Sequence, residues 1–276
     1  MSQGDAVDGS RGCGYAAGMS SSADPRDLEP AWDWVRSWLF DTALPLWSTR
    51  GVDPRGGFVD QLDDDFQPTG VPQRLRVQGR QVYVFAEAGR AGWSGPWREL
   101  VDHGLAFLQG PMREPGGLIW AKVADSQGYG IQLYDHAFGL LALAHGLKVT
   151  GDPALEVRAQ EVWTAMKARL GRPGGGFLET DAGEASFQSN PHMHLYEATL
   201  AWTRVSSSPF WRAAADEIVA LANSAFRDPA TGKICEFFTA EGAAAPGPQG
   251  QIVEPGHQFE WGWLFAADGK LDAARQ

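Results

Sequence analysis

The sequence is poor in cysteine, in basic residues and in long apolar runs, and each shortage excludes a class of protein. Two cysteines, Cys13 and Cys235, among 276 residues are too few for a disulfide framework, so a reducing, cytoplasmic location is expected. Basic residues number 23 against 34 acidic ones, a net charge of -11 that argues against nucleic acid or an anionic membrane as a partner. No apolar run reaches the about 18 residues of a membrane span, and no secretory signal is evident.

Patterns for binding phosphate and metal are also missing. Neither GxGxxG nor GxxxxGK(S/T) occurs, so no glycine-rich loop that cradles a phosphate is predicted. His192 and His194 are two residues apart, a spacing that suits a metal ligand pair on a strand but not at the start of a helix. Adding His257 produces no regular zinc-ligand spacing, and we therefore predict neither a metal nor another cofactor.

Glycine and aromatic residues, in contrast, are abundant. The chain contains 34 glycines, 12 tryptophans and 14 phenylalanines. Aromatic rings at this density either stack on the C–H faces of sugars or fill a helical core. Hydrophobic residues make up 43% and charged residues 21%, which is typical of a globular protein. Residues 1–26 lack apolar periodicity and are predicted to be a disordered tail, and residues 27–276 are predicted to form one domain.

A glycine-led segment recurs four times along this domain. Its marker residues, Gly57, Gly117, Gly176 and Gly232, are 60, 59 and 56 residues apart, and each begins a predicted β-hairpin. Apolar periodicity predicts helices over residues 28–47, 77–89, 97–108, 134–149, 153–170, 193–205 and 209–226. Units of this size stack because none buries its apolar face alone. The prediction is an all-α fold, an α/α toroid with hairpins at one mouth, with an open α-solenoid as the alternative.

Polar side chains gather at the start of the helix that follows each hairpin. They are Arg76 and Arg80 in the first unit, Asp135 in the second, Asn190, His192, His194 and Glu197 in the third, and Glu254, His257 and Glu260 in the fourth. If these helices form the inner ring of a toroid, the side chains converge on one cavity. Loops and helix ends at one mouth are a common place for a functional site.

Two histidine–carboxylate pairs stand out in these clusters. His257 and Glu260 are three residues apart and share one helical face, so the carboxylate can orient the imidazole as a general base. His194 and Glu197 have the same spacing, with Glu197 predicted to be a structural or orienting partner. The alternative for each histidine is a hydrogen-bonded residue of the core. With sister clusters in the other units, catalysis is the favoured interpretation.

The remaining polar residues have two interpretations each. Arg76 and Arg80 are four residues apart and can clamp a sugar oxygen or a developing enediolate, or form ordinary salt bridges. Asp135 is either a ligand-binding residue or a helix cap. His103 and His145 are predicted to be structural.

Four motifs carry a resemblance to a known family. They are RQVYVFAEA at residues 80–88, YDHAF at 134–138, NPHMHLYEA at 190–198 and EPGHQFEW at 254–261. These segments resemble the N-acylglucosamine 2-epimerase family, which includes mannose isomerases and cellobiose 2-epimerases, and the match runs from about residue 32 to 264. The resemblance implies an (α/α)6 barrel and metal-independent chemistry on an open-chain aldose of the mannose or N-acylglucosamine type. A histidine removes the C2 proton, and the resulting enediolate is reprotonated at C1 or C2.

The resemblance also implies a role for each matched residue. His257 is similar to an acid/base histidine, with Glu260 as its partner, and His194 resembles the sugar-binding or ring-opening histidine. Arg80 resembles the arginine that stabilises the enediolate. The implied sugar contacts are Asn190, Glu254 and Asp135 for hydroxyl groups and Trp261 or Trp120 for ring stacking.

The sequence departs from the family in its length. Six units would need roughly 350 residues, and the family's second acid/base histidine belongs to the last helix pairs. We therefore expect a C-terminally incomplete barrel of about four helix pairs that has little isomerase activity and aggregates or forms oligomers through its open edges. Two alternatives to an isomerase stay open. One is an inactive or carbohydrate-binding remnant, and the other is a toroid glycoside hydrolase that uses Asp135 and Glu260 as acid and base.

Overall fold

The structure, a computed structural model, describes residues 28–125, 127–182, 186–270 and 273. The predicted disordered tail and Cys13 lie outside these residues. No helix within the described residues is long and apolar enough to span a membrane.

Helices alternate along the described chain between an outer and an inner position. The inner helices pack side by side in chain order, each against the next, and outer helices pack behind them. The inner helices are α3 (Leu75–Arg90), α5 (Leu133–Thr150), α7 (Ser189–Val205) and α9 (Pro255–Ala267), and the outer ones are α1 (Glu29–Trp38), α2 (Leu44–Thr49), α4 (Trp97–Gln109), α6 (Ala154–Leu170) and α8 (Pro209–Leu221). The four predicted helix pairs are therefore present, and α5, one of the two middle inner helices, is buried over most of its length.

The predicted helices are confirmed, with local differences where proline occurs. The first predicted helix, 28–47, is interrupted by a π-helical turn, Leu39–Ala43, because Pro45 has no N–H to donate to the preceding turn. Helix α7 begins at Ser189, four residues earlier than predicted. Pro191 is accommodated there because the first N–H groups of a helix have no intrahelical partner.

The glycine-led segments are turns and not the strands that the sequence predicted. The four marker glycines have left-handed backbones, with φ between 69° at Gly57 and 95° at Gly117. Each turn closes with a single isolated β-bridge, such as Val52 to Phe58 and Gly171 to Phe177. In each turn, a side chain of the inner helix accepts a hydrogen bond from the backbone N–H of the bridge residue that follows the glycine.

That side chain, which we call the loop tie, recurs in every unit. Gln78 accepts a hydrogen bond from the Phe58 N–H (2.7 Å), and Gln258 accepts one from the Ile234 N–H (2.9 Å). In the two middle units a histidine has this role: Nε2 of His136 accepts from the Ile119 N–H (3.1 Å), and Nε2 of His192 accepts from the Phe177 N–H (3.0 Å). The four loop ties are Gln78, His136, His192 and Gln258, and they fix each turn to its own inner helix.

The regular strands lie at the mouth, next to the starts of the inner helices. Strand β1 (Gln73–Arg74) leads into α3 and pairs with β2 (Lys122–Ala124), which pairs with β3 (Gln127–Tyr129). Strand β4 (Phe187–Gln188) leads into α7 and pairs with β5 (Phe237–Phe238), with Phe187 opposite Phe238. Both sheets are antiparallel, which confirms short β-structure at one mouth, but among the described strands only β2 and β3 form a hairpin, and the other pairs join distant parts of the chain.

Apolar side chains are exposed at the two ends of the row of helices. Helix α1 has no buried residue, and its Trp32, Trp34 and Trp38 are more than half exposed. On α9, Phe259 is 80% exposed and Trp263 is 61% exposed. The middle helices show no comparable surface among the described residues, so these two faces are the apolar edges of the fold.

Candidate functional site

Counting from the loop ties gives the register of the inner ring. Two residues after the tie stand Arg80, Phe138, His194 and Glu260, and five residues after it stand Tyr83, Leu141, Glu197 and Trp263. All eight side chains line one cavity of about 330 Å³. An adjoining cavity of about 430 Å³ shares Tyr83, Leu141, Glu197 and Trp263 with it and continues toward the C-terminal ends of the inner helices. The predicted convergence of Arg80, His194 and Glu260 on one cavity is present in the structure.

His194 is held by a carboxylate and two aromatic rings. Its Nδ1 lies 3.1 Å from Oε2 of Glu197, the residue predicted as its partner. Its ring is perpendicular to the Tyr134 ring, at 5.2 Å between centroids, and the Phe138 ring lies 4.9 Å away. The imidazole therefore has a defined orientation at the cavity wall.

Arg80 extends across the same wall and is exposed to the cavity. Its Nη2 donates to the Tyr134 hydroxyl at 2.9 Å, and its guanidinium lies 3.8 Å from the centroid of the Phe138 ring. Cation–π contact and one hydrogen bond orient the group but leave further N–H donors for a ligand oxygen.

His257 lies at the start of α9 and is paired with a residue that the sequence did not predict. Its Nδ1 is 3.1 Å from Oε1 of Glu236, a carboxylate only 4% exposed. The prediction that Glu260 orients His257 is wrong, because Glu260 points into the cavity instead. His257 is half-buried and is not among the residues that line either cavity.

Comparison with known proteins identifies the family to which this chain belongs. The sequence profile of the N-acylglucosamine 2-epimerase (GlcNAc 2-epimerase) family matches residues 56–275, which is most of the chain. The chain belongs to the N-acylglucosamine 2-epimerase family. It is 44% identical over 240 residues to a mannose-6-phosphate isomerase of Rhizobium meliloti, covering 84% of this chain and 62% of the relative.

Further similarities agree with the family and with its fold. A D-mannose isomerase of Pseudomonas cannabina pv. alisalensis is 30% identical over 267 residues, covering 87% of this chain and 63% of that protein. The solved cellobiose 2-epimerase of Spirochaeta thermophila superposes with a TM-score of 0.76 at 22% identity, covering 91% of this chain and 67% of that one. The fold is thus of the (α/α)6-barrel type, and the chain spans a little over three fifths of the length of these curated relatives.

Two side chains implied by the family resemblance are turned away from any ligand. Asp135 has a buried carboxylate that accepts from Nε of Arg76 (2.8 Å), from its Nη2 (3.0 Å) and from its backbone N–H (3.1 Å). It therefore caps the neighbouring helix α3 and fixes Arg76, which excludes Asp135 as a sugar contact and Arg76 as part of a clamp. Trp261 is fully buried, so it cannot stack on a sugar ring.

The other predicted sugar contacts, Trp120, Glu254 and Asn190, differ in burial. Trp120 is half-buried and packs against Gly128 of the mouth hairpin, and Glu254 is exposed at the start of α9, where its side chain makes no capping hydrogen bond. Neither residue lines the two cavities. Asn190 lies in the first turn of α7, and its buried Oδ1 has no hydrogen-bond partner among the described residues.

Several side chains of the candidate site were not predicted from the sequence. Trp263, two residues after the predicted Trp261, is the tryptophan that presents its ring to the cavity, and counting five residues from the loop tie would have found it. Tyr134 holds both Arg80 and His194, and its position in the YDHAF motif was the available signal. Glu236 lies outside every helix and motif, so no spacing argument could assign it.

Two titratable groups near the inner ring, one half-buried and one buried, have displaced pKa values. Burial raises the pKa of Glu179 to about 7, with the nearby Asp135 carboxylate adding to the effect, and its Oε2 has no hydrogen-bond partner among the described residues. Burial lowers the pKa of His145 to about 4, so this histidine, which lines the adjoining cavity 3.3 Å from Glu87, is neutral at neutral pH. His103 bonds the Gly57 carbonyl, as expected for a structural residue.

Metal-binding geometry is absent from the part of the chain that the structure describes. No group of three or more His, Cys, Asp or Glu side chains is arranged to hold a metal ion there. His192, considered above as a ligand, uses both ring nitrogens in hydrogen bonds to the backbone of Phe177 and Gln188.

Proposed function

We propose that this chain carries the proton-transfer site of a sugar isomerase or 2-epimerase that acts on an open-chain aldose. The observation that supports this most is the pair of carboxylate-bound histidines, His194 and His257, at the same mouth as the exposed guanidinium of Arg80. Relatives named mannose isomerase and a fold shared with a cellobiose 2-epimerase support the same reaction class.

The chemistry requires a base, an acid and a stabiliser of negative charge. A neutral imidazole, His257 in our proposal, removes the proton at C2, and the electron pair left on carbon moves toward the carbonyl to form an enediolate. Arg80 donates hydrogen bonds to the developing oxyanion, which is where a preorganised donor lowers the barrier. Return of the proton to C1 gives the ketose, and return to the opposite face of C2 gives the epimer. His194 binds the sugar or assists ring opening.

The charges of the smaller cavity support an uncharged part of a sugar there. Its charged side chains are Arg80, Glu197 and Glu260, so the carboxylates outnumber the guanidinium, whereas the adjoining cavity adds Arg90, Lys148 and Arg204 to Glu87. The exposed Trp263 ring offers a flat apolar surface to the C–H face of a sugar ring. We therefore propose mannose or an N-acylated hexosamine, with Asn190 as a contact for a hydroxyl group.

Proton exchange at C2 tests the proposal. The full chain is incubated in D2O with mannose or with N-acetylmannosamine, and the C2 proton is followed by NMR. Loss of the C2 signal from the starting sugar is expected, because this exchange needs only removal and return of a proton, and its rate should fall at least about a hundredfold in a His257→Gln variant. Binding of both sugars with no exchange in wild type would contradict the proposal and indicate a carbohydrate-binding protein.

The glycoside hydrolase alternative has little support in the structure. It requires two free carboxyl groups across a glycosidic bond. Asp135, one of the two proposed, is buried in its ion pair with Arg76 and cannot reach a substrate. Release of nitrophenol from a nitrophenyl mannoside by the chain would revive that alternative.

A further inference from the structure

Glu236 is a buried carboxylate whose two oxygens have different partners. Oε1 lies 3.1 Å from Nδ1 of His257, and Oε2 accepts a hydrogen bond from Oγ of Ser189 at 3.1 Å. Glu236 is 4% exposed, and Ser189, the first residue of α7, is fully buried. The three side chains thus connect the start of α7 to the start of α9 through a loop residue between them.

The backbone around Glu236 fixes this carboxylate in place. The Ser189 N–H donates to the Glu236 carbonyl, and the Glu236 N–H donates to the Ile252 carbonyl, both at 3.1 Å. Glu236 immediately precedes β5, which pairs with β4, the strand that leads into α7. Because the residue is held on both sides, its side chain does not need to be ordered when a ligand arrives.

The hydrogen-bond chemistry determines which nitrogen of His257 carries the hydrogen. A carboxylate offers only acceptors, so Nδ1 of His257 must be the donor in the contact with Oε1. The lone pair of the neutral imidazole is then on Nε2, the nitrogen that Glu236 leaves free. The Ser189 hydroxyl satisfies the other carboxylate oxygen, which keeps the group from rotating away from the imidazole.

We propose that Glu236 and Ser189 are positioning residues that hold His257 in the Nδ1–H tautomer, with Nε2 presented as the base. The base role of Nε2 rests on the proposed function, whereas the tautomer does not. His194 differs in this respect, because its partner Glu197 is on the same helix and is one-third exposed. The loop-borne carboxylate of Glu236 is therefore expected to constrain its histidine more strongly.

The tautomer can be measured without reference to activity. Full-length chain labelled with 15N in histidine is examined by long-range 1H–15N NMR at a pH where the imidazole is neutral, and His257 is assigned by its loss in His257→Asn. Wild type is expected to show the Nδ1–H tautomer. Glu236→Leu is expected to shift His257 to mainly Nε2–H, and Glu236→Gln to show an intermediate state, because an amide oxygen can still accept.

Two further variants separate positioning from a merely structural role. Ser189→Ala is expected to retain the tautomer but to broaden the His257 ring signals, because the carboxylate loses one anchor. Glu241→Gln, an exposed carboxylate just after β5, is the matched control and should leave the spectrum unchanged. An Nε2–H tautomer in wild type, or an unchanged tautomer in a folded Glu236→Leu variant, would overturn the proposal.

The consequence for the reaction is measured in the same variants. C2 exchange is expected to fall at least about tenfold in Glu236→Leu and less in Glu236→Gln, with the loss in the exchange rate and not in sugar affinity. Circular dichroism shows whether Glu236→Leu folds. If it does not, the isosteric Glu236→Gln variant tests the positioning role, and an unchanged exchange rate and tautomer in that variant would count against it. A wild-type chain with the Nδ1–H tautomer and no exchange would refute the proposed function while confirming the tautomer.

Discussion

Two pairs of histidines lie at the starts of the inner helices, and they differ in what their nitrogens contact. His136 and His192 are fully buried, with Nδ1 2.7 Å from a backbone carbonyl and Nε2 accepting a backbone N–H. His194 and His257 are partly exposed, and each places Nδ1 on a carboxylate. Histidine thus joins backbone segments by hydrogen bonds in the first pair and is a candidate acid or base in the second.

The loop ties show why a histidine suits the first role. Gln78 and Gln258 have the equivalent position in the first and last units, where each bonds both the N–H and the carbonyl of one turn residue. A neutral imidazole also offers one acceptor and one donor, but His136 and His192 accept only the turn N–H and direct Nδ1 to a carbonyl just before their own helix. Burial lowers the pKa of His192 to about 4 and also lowers that of His136, so both stay neutral and neither is suited to exchange protons at neutral pH. A histidine's partners, more than its motif, indicate its role.

The largest expected effect tests the catalytic pair. His257→Gln should lower the rate of C2 exchange by between about a hundredfold and ten-thousandfold, because the base is lost. The free energy of unfolding should change by less than about 1 kcal/mol, since the side chain is half-buried. Rates from NMR and urea denaturation curves measure the two quantities. A large loss of stability with retained exchange would place His257 with the structural pair.

The converse result is expected for the structural pair. His192→Ala leaves the buried Phe177 N–H without a partner and opens a cavity among aromatic rings, and should lower the free energy of unfolding by about 3 kcal/mol. His192→Gln, which imitates the loop ties of the outer units, should lose about half as much. Equal losses in the two variants, measured by urea denaturation, would show that the hydrogen bond is not what matters.

The buried histidine His192 is also expected to make the free energy of unfolding depend on pH. Because the folded pKa of His192 is about 4, below its ordinary value of 6.5, its contribution is complete above pH 6.5 and is lost as the pH falls toward 4. His192→Gln should therefore remove about 3 kcal/mol of acid sensitivity over this window. Glu179, with a pKa raised to about 7, acts oppositely: it opposes folding as the pH rises from 4.5 to 7. Comparing wild type with His192→Gln cancels that contribution, and coincident pH profiles would contradict the assignment.

The smallest expected effect compares the two carboxylates. Glu197→Gln should lower C2 exchange by only about threefold, within the range of a partly exposed hydrogen bond, whereas Glu236→Gln acts on a buried and anchored partner and should cost more. The exchange rates of the two variants at equal folded concentration provide the measurement. If Glu197→Gln proved the more damaging, His194 and not His257 would be the better candidate for the base.

The parts of the molecule that repeat regularly along the chain could be predicted from the sequence. Apolar spacing predicted the helices, and the glycine repeat predicted that Arg80, His194 and Glu260 would share one cavity, since a common register places equivalent residues on equivalent faces. Partner choice was not predictable in this way. Glu236 reaches His257 across 21 residues from an irregular loop, and Asp135 is turned to Arg76 by the packing of α5 on α3. The glycine segments form turns that single bridges close, and their outward-facing N–H groups bond to side chains of the inner helices, contacts that the glycine repeat did not predict.

The loop ties also bear on how the chain reaches its fold. Each tie joins residues that are only 15 to 24 positions apart, and each inner helix then packs on the helix just before it in the ring. Contacts of such short range cost little loop-closure entropy, and nearest-neighbour stacking allows structure to propagate from one unit to the next. A helix pair that emerges from the ribosome can therefore fasten its own turn before the next pair has been synthesised.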